Sequence, residues 1–175
     1  EWVAPSGGGG GGGDPMNLWI DGDFTQWLDK ITAGTTSAVL ESMDHVSTLM
    51  RYEHSGEGAE YTGVRSTDVP TQAESGHASK YSLKMLNSGD NGDLVEMWDY
   101  VRLAYPVTGS DYAFIHGSED IILSFWVRSS MTGTYTIGLK NHDVDRAMPI
   151  EYTINTADTW EKKNIAIETD NTTNP

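Results

Sequence analysis

A chain of 175 residues is long enough for one domain with a proper interior and short of what two independent domains need. Its 11 Lys plus Arg stand against 26 Asp plus Glu, a formal net charge of −15, which repels a phosphate backbone and argues against a nucleic-acid partner. Cysteine is absent, so disulfides, thiolate metal sites and thiol nucleophiles are excluded together.

The first segment, residues 1–16, carries an unbroken glycine tract from Gly7 to Gly13 behind Pro5 and Ser6. Polyglycine loses the most backbone entropy on ordering and offers no side chains for packing, so a linker is expected, or the end of an upstream module in Glu1 and Trp2. A packed polyglycine bundle is the alternative. The tract opens no helix and has no Lys-Ser or Lys-Thr after it, so it is not a phosphate-binding loop.

From about Asn17 onward the texture changes to short alternating runs rich in Val, Ile, Thr, Tyr, Phe and Trp, separated by Gly, Asn, Asp and Ser. That is the pattern of an all-β domain, expected over residues 17–175. No apolar run approaches the ~20 residues of a membrane span, and membrane insertion is not expected. Asp23 to Ile31 reads as a strand end passing into a short helical turn, and Gly56 to Gly76 as a long polar surface loop.

Strands are expected at Tyr81 to Leu86 and Leu94 to Tyr105, with Asn87 to Asp90 and Asn91-Gly92-Asp93 as turn signals between them. The clearest strand runs from Ile121 to Arg128, with Ile121, Leu123, Phe125 and Val127 on a core face and Ile122, Ser124, Trp126 and Arg128 on the other. Ser129 to Gly133 reads as a turn into Thr134 to Lys140, the two strands forming a hairpin. Ile150 to Asn155 and Lys162 to Glu168 complete the set, and strands at this spacing suggest an antiparallel β-sandwich or jelly roll.

Three segments carry a resemblance: Asn17-Leu18-Trp19-Ile20-Asp21-Gly22-Asp23-Phe24, then Ser79-Lys80-Tyr81-Ser82-Leu83-Lys84, then Leu123 to Ser130. In this order they resemble carbohydrate-binding-module-like, galactose-binding-type jelly rolls. Thr132-Gly133-Thr134-Tyr135 and Ala157-Asp158-Thr159-Trp160-Glu161-Lys162-Lys163 extend the match over Asn17 to Asp170, and the combination looks most like domains of bacteriophage tail fibres and other virion appendages. The resemblance implies a non-catalytic structural protein of the virion. It further implies a homotrimer in contact with other virion proteins or with a host surface polysaccharide. Such domains continue with more strands beyond the segment resembling Asp158 to Glu168, so the sandwich is expected to be incomplete at its C-terminus, with its open edges covered by neighbouring copies or by further chain. The alternative is a non-catalytic carbohydrate-binding module of a secreted bacterial polysaccharide-degrading enzyme.

Sandwiches that bind sugars do so with exposed aromatic rings and nearby polar groups. Trp98, Tyr100 and Arg102 share one face of their strand, and Trp126 and Arg128 share a face of theirs. If those strands are neighbours, the five residues form one glycan-binding patch. The competing reading places both tryptophans in the core, the commoner fate of large aromatics in a sandwich with two inner faces.

Asp21 and Asp23 flank Gly22 after a first strand, a position where related jelly rolls often carry structural calcium. Oxygen ligands brought together at a turn suit Ca²⁺, while Asp-Gly-Asp also serves as a plain turn. His142, Asp143 and Asp145 are a generic metal or acid/base set without a second histidine at ligand spacing, and His45, His54, His77 and His116 read as surface residues. Glu96 and Asp99 point to opposite faces of a strand and do not make a glycosidase pair. No catalytic constellation emerges.

Overall fold

The computed structural model describes residue 24, the backbone of residues 37–40, and residues 45–46, 50–55, 61–87, 100–107, 121–141 and 146–167. Within these the chain is built from nine strands and one short helix: β1 (Ser37–Leu40), β2 (Arg51–Ser55), β3 (Tyr61–Ser66), α1 (Gln72–Ser75), β4 (Ser82–Asn87), β5 (Tyr100–Ala104), β6 (Ile121–Val127), β7 (Gly133–Lys140), β8 (Ala147–Ile154) and β9 (Glu161–Ile167). Every pairing is antiparallel. The fold is all-β. A three-stranded sheet has the order β1-β3-β4, and three ribbons pair β2 with β5, β6 with β9 and β7 with β8.

The expected strands at Tyr81, Ile121, Ile150 and Lys162 form within a few residues of their sequence boundaries. The strand expected from Leu94 is β5 from Tyr100 onward, with residues 94–99 outside the described residues.

The polar passage from Gly56 is not one surface loop throughout: in its described part 61–66 is a strand, while 67–76 is a largely exposed connection carrying the short helix α1. Tyr61–Ser66 is the central strand of the three-stranded sheet, with Gly63 buried between β1 and β4. The aromatic and β-branched residues Tyr61, Thr62 and Val64 supply the strand preference that the surrounding Gly and Ser conceal. Thr71-Gln72-Ala73-Glu74 then starts α1 with a capping box. The Thr71 hydroxyl accepts from the Glu74 N–H at 3.3 Å, and the Glu74 carboxylate accepts from the Thr71 N–H at 2.8 Å. The Thr71 hydroxyl also donates to this carboxylate, which holds Glu74 below the usual carboxylate range. Gly76, at φ 76°, ends the helix in the left-handed conformation that favours glycine.

A second correction concerns β6 and β7, which do not form a hairpin: β6 pairs with β9, and β7 with β8. The turn between β6 and β7 instead carries the chain from one ribbon to the other. The Ser129 hydroxyl lies 2.9 Å from the Tyr135 hydroxyl, the Tyr135 O–H donates to the Met131 carbonyl at 2.9 Å, and the Met131 N–H donates to Ser129 Oγ at 3.0 Å. Gly133 follows at φ 145°, a value only glycine adopts readily. Together these shape the crossing from β6 to β7.

The two ribbons share an apolar interior. Phe125, Ile165 and Ile167 are buried, with Ile121, Leu123 and Val127 beside them and Ile137, Ile150 and Tyr152 of β7 and β8 packed against them. The face of β6 expected to be core is therefore core. Tyr152 meets Phe125 edge-on at 5.2 Å and stacks on Tyr135 at 5.8 Å, and burial, with Tyr135 close by, pushes its phenol up from the ordinary tyrosine value. A separate core lies in the first half, where Phe24, Val46, Met50 and Tyr52 are buried under Tyr61, Tyr81, Leu83, Met85 and Val101. It joins β2 and β5 to β3 and β4.

Phe125→Ala is expected to lower the unfolding free energy by about 3–5 kcal/mol through loss of buried surface and a residual cavity. Ile122→Thr, on the opposite face of the same strand and 69% exposed, is expected to change it by no more than about 0.5 kcal/mol. Urea denaturation of both variants reads out the face assignment of β6 directly.

Candidate functional site

The β2–β5 ribbon segregates its side chains by alternation. Tyr52 is buried with Val101 packed in the same core. The register sets Arg51 opposite Ala104, Glu53 opposite Arg102 and Ser55 opposite Tyr100, so these six share the other face.

On that face Glu53 is the centre. Only 7% exposed, it is an unusual place for a carboxylate and is held by cations on both sides. Arg102 Nε donates to Glu53 Oε2 at 2.7 Å, and Arg102 Nη2 pairs with the same oxygen. Arg51 Nη2 lies 3.7 Å from Glu53 Oε1. The Arg102 guanidinium also rests over the Tyr100 ring, 4.5 Å from its centroid, while the ring remains exposed. Tyr100 and Arg102 are thus brought together as expected, and Arg51 and Glu53 join them.

Trp126 and Arg128 are elsewhere. Their strand pairs with β9, not with β5, so the single five-residue patch does not form by strand pairing. Trp126 is buried at 9% exposure, which takes its ring out of reach of a sugar and favours the core reading for this residue. Arg128 instead belongs to a polar clasp. Its Nη1 pairs with Asp68 Oδ2, its Nη2 lies 3.8 Å from Asp158, and Asp68 Oδ1 accepts from the Trp160 indole N–H at 3.1 Å. Asp68 lies between β3 and α1, and its carbonyl accepts from the Ser82 hydroxyl at 2.7 Å. Trp98, Asp21 and Asp23 lie outside the described residues, as do Glu96, Asp99, His116 and the set His142, Asp143 and Asp145.

The β8–β9 turn that presents Trp160 is organised by Glu161. Its carboxylate accepts from the backbone N–H groups of Asn155 and Thr156, both at 2.8 Å, from the Asn155 side chain at 2.9 Å and from Lys163 Nζ at 2.6 Å. The bond from Lys163 is the largest cause, followed by the Thr156 N–H and the Asn155 side chain, and the carboxyl is drawn down to about 2. Within the turn Asp158 adopts φ 55°, a left-handed conformation that Asp tolerates better than most residues, and its N–H donates to the Ser129 carbonyl at 2.7 Å.

In chemical terms the β2–β5 face offers a half-covered aromatic ring, a guanidinium fixed against it and further donors on Arg51. Among the described residues it contains one carboxylate, that of Glu53, already paired. Among the described residues no three His, Cys, Asp or Glu side chains stand close enough to hold a metal ion. Arg51 and Glu53 escaped sequence reasoning, although the aromatic and charged alternation of Arg51-Tyr52-Glu53-His54 is itself a strand signal. Asp68 gave no such signal, since its partners lie 60 and 92 positions away.

Comparison with family models, with curated proteins and with solved structures returned no match to the chain.

Because the folded carboxyl of Glu161 sits below its unfolded value of 4.5, the stability it contributes is complete above pH ~4.5 and is lost as pH falls toward about 2. Glu161→Gln is therefore expected to be less stable than the parent at pH 6, with the gap narrowing steadily toward pH 2. Denaturation midpoints across that range measure it.

Proposed function

We propose that this chain is a non-catalytic structural domain of a bacteriophage appendage, of the tail-fibre or head-fibre kind, whose β2–β5 face contacts glycans on the host surface. The observation that carries the glycan reading is the exposed Tyr100 ring with Arg102 locked against it by the buried Glu53. A ring held in place loses little entropy when a pyranose stacks on it, and a fixed guanidinium beside it can serve the sugar hydroxyls. The virion setting rests on the resemblance of the ordered segments from Asn17 to Lys163, and the all-β antiparallel fold accords with the jelly roll implied by it. Assembly as a homotrimer and residence in the virion belong to the same proposal, with calcium at Asp21 and Asp23 as its metal arm. A non-catalytic module of a secreted polysaccharide-degrading enzyme is favoured instead by the Gly7 to Gly13 tract acting as a tether to a catalytic partner.

Glycan-array binding of the full chain is expected to show selective recognition that Tyr100→Ala weakens by about tenfold or more, with an unchanged thermal melt. Selective binding untouched by this variant would remove the β2–β5 face from the account. Mass spectrometry of purified particles is expected to find the protein in virions, and its confinement to lysate would favour the secreted-module reading.

A further inference from the structure

We infer that the β2–β5 face selects acidic glycans, with Arg51 taking the carboxylate of one sugar and Tyr100 stacking on another further along the chain. The inference rests on reading this face as glycan-binding. Its first support is charge. Among the described residues of this face two guanidiniums flank one carboxylate, that of Glu53, a local excess of one positive charge within a protein of net charge −15. A neutral sugar needs no such excess. An anion does.

The second support is the unequal use of the two arginines. Arg102 is consumed: Nε and Nη2 both engage Glu53, and its plane covers part of Tyr100. Arg51 reaches Glu53 only through Nη2 at 3.7 Å, beyond hydrogen-bonding distance, and its Nε is buried with no hydrogen-bond partner. Its side chain is 30% exposed, and with Nε buried out of reach the terminal Nη groups are the donors left for a ligand. A planar carboxylate matches two guanidinium N–H groups at once, which the hydroxyls of a neutral sugar do not.

The third support is spacing. Tyr100 stands opposite Ser55, four residues along β2 from Arg51, which separates the two positions by about 13 Å at the strand rise. A single pyranose cannot span that length, so the ligand is an oligosaccharide or polymer.

The test uses the full chain against immobilised polygalacturonate, alginate, hyaluronan and polysialic acid, each beside its carboxyl-reduced neutral form. At least one acidic polymer is expected to bind, with affinity falling about tenfold or more on carboxyl reduction and by a similar factor in Arg51→Gln. Arg51→Lys, which keeps the charge without the planar fork, is expected to fall between the two. Lys84→Gln makes the same charge change at an exposed position on β4 and is expected to leave binding intact. The protein's own net charge opposes simple ion exchange with these polymers, so retention reports a local site. Tyr100-dependent binding to the reduced forms alone would overturn this inference and leave the glycan reading standing. Failure to bind either form would overturn both. If a thermal melt shows Arg51→Gln to be unfolded, the comparison of each polymer with its reduced form on the parent protein decides the matter.

Discussion

Among the described residues, a carboxylate links the first half of this protein to the second. Asp68, in the connection between β3 and α1, accepts from Arg128 at the end of β6 and from Trp160 at the start of β9. Among the described residues, the strands of the first half pair only with one another, and so do those of the second. Each half also has its own buried core, one around Tyr52 and one around Phe125. Among the described residues each of these cores packs within one half, and Asp68 with Arg128 and Trp160 makes a charge-assisted polar link between the halves. That division sets exacting demands on the turns. Asp158 reaches Arg128 because Glu161 gathers the β8–β9 turn, and the adjoining corner after β6 is stapled by Ser129 and Tyr135.

The same logic of polar groups arranged over an apolar layer shapes the β2–β5 ribbon. Tyr52 anchors one face in the core, and the alternation forces Arg51 and Glu53 to the other, where Arg102 meets them in register. A carboxylate this buried is costly unless paired, and pairing it from one side by Arg102 brings that guanidinium over Tyr100. The ring is held as a by-product of solving the problem of Glu53. Function and local stability on this face therefore depend on the same contacts.

How much of this could be read from the sequence varies with the range of the interaction. The inner face of β6 was legible because Ile121, Leu123, Phe125 and Val127 alternate without interruption, and the strand preference needs nothing beyond neighbouring residues. Tyr100 and Arg102 were legible as a pair for the same reason. The capping box at Thr71 and Glu74 was equally local, but the polar composition around it invited a loop reading. Pairing partners were not legible: a turn such as Ser129 to Gly133 looks alike whether it closes a hairpin or crosses between ribbons, and the difference lies in hydroxyl contacts to Tyr135. Trp126 shows the limit most plainly. Alternation placed it on the face opposite Phe125, and it is buried there, which alternation alone did not decide.

The separation of the two cores has a mechanical consequence. Among the described residues no strand pairing crosses from the first half to the second, so each ladder lies within one stretch of the chain. Separating these two stretches would break the pairings of Asp68 with Arg128 and Trp160 without breaking any described hydrogen-bonded ladder.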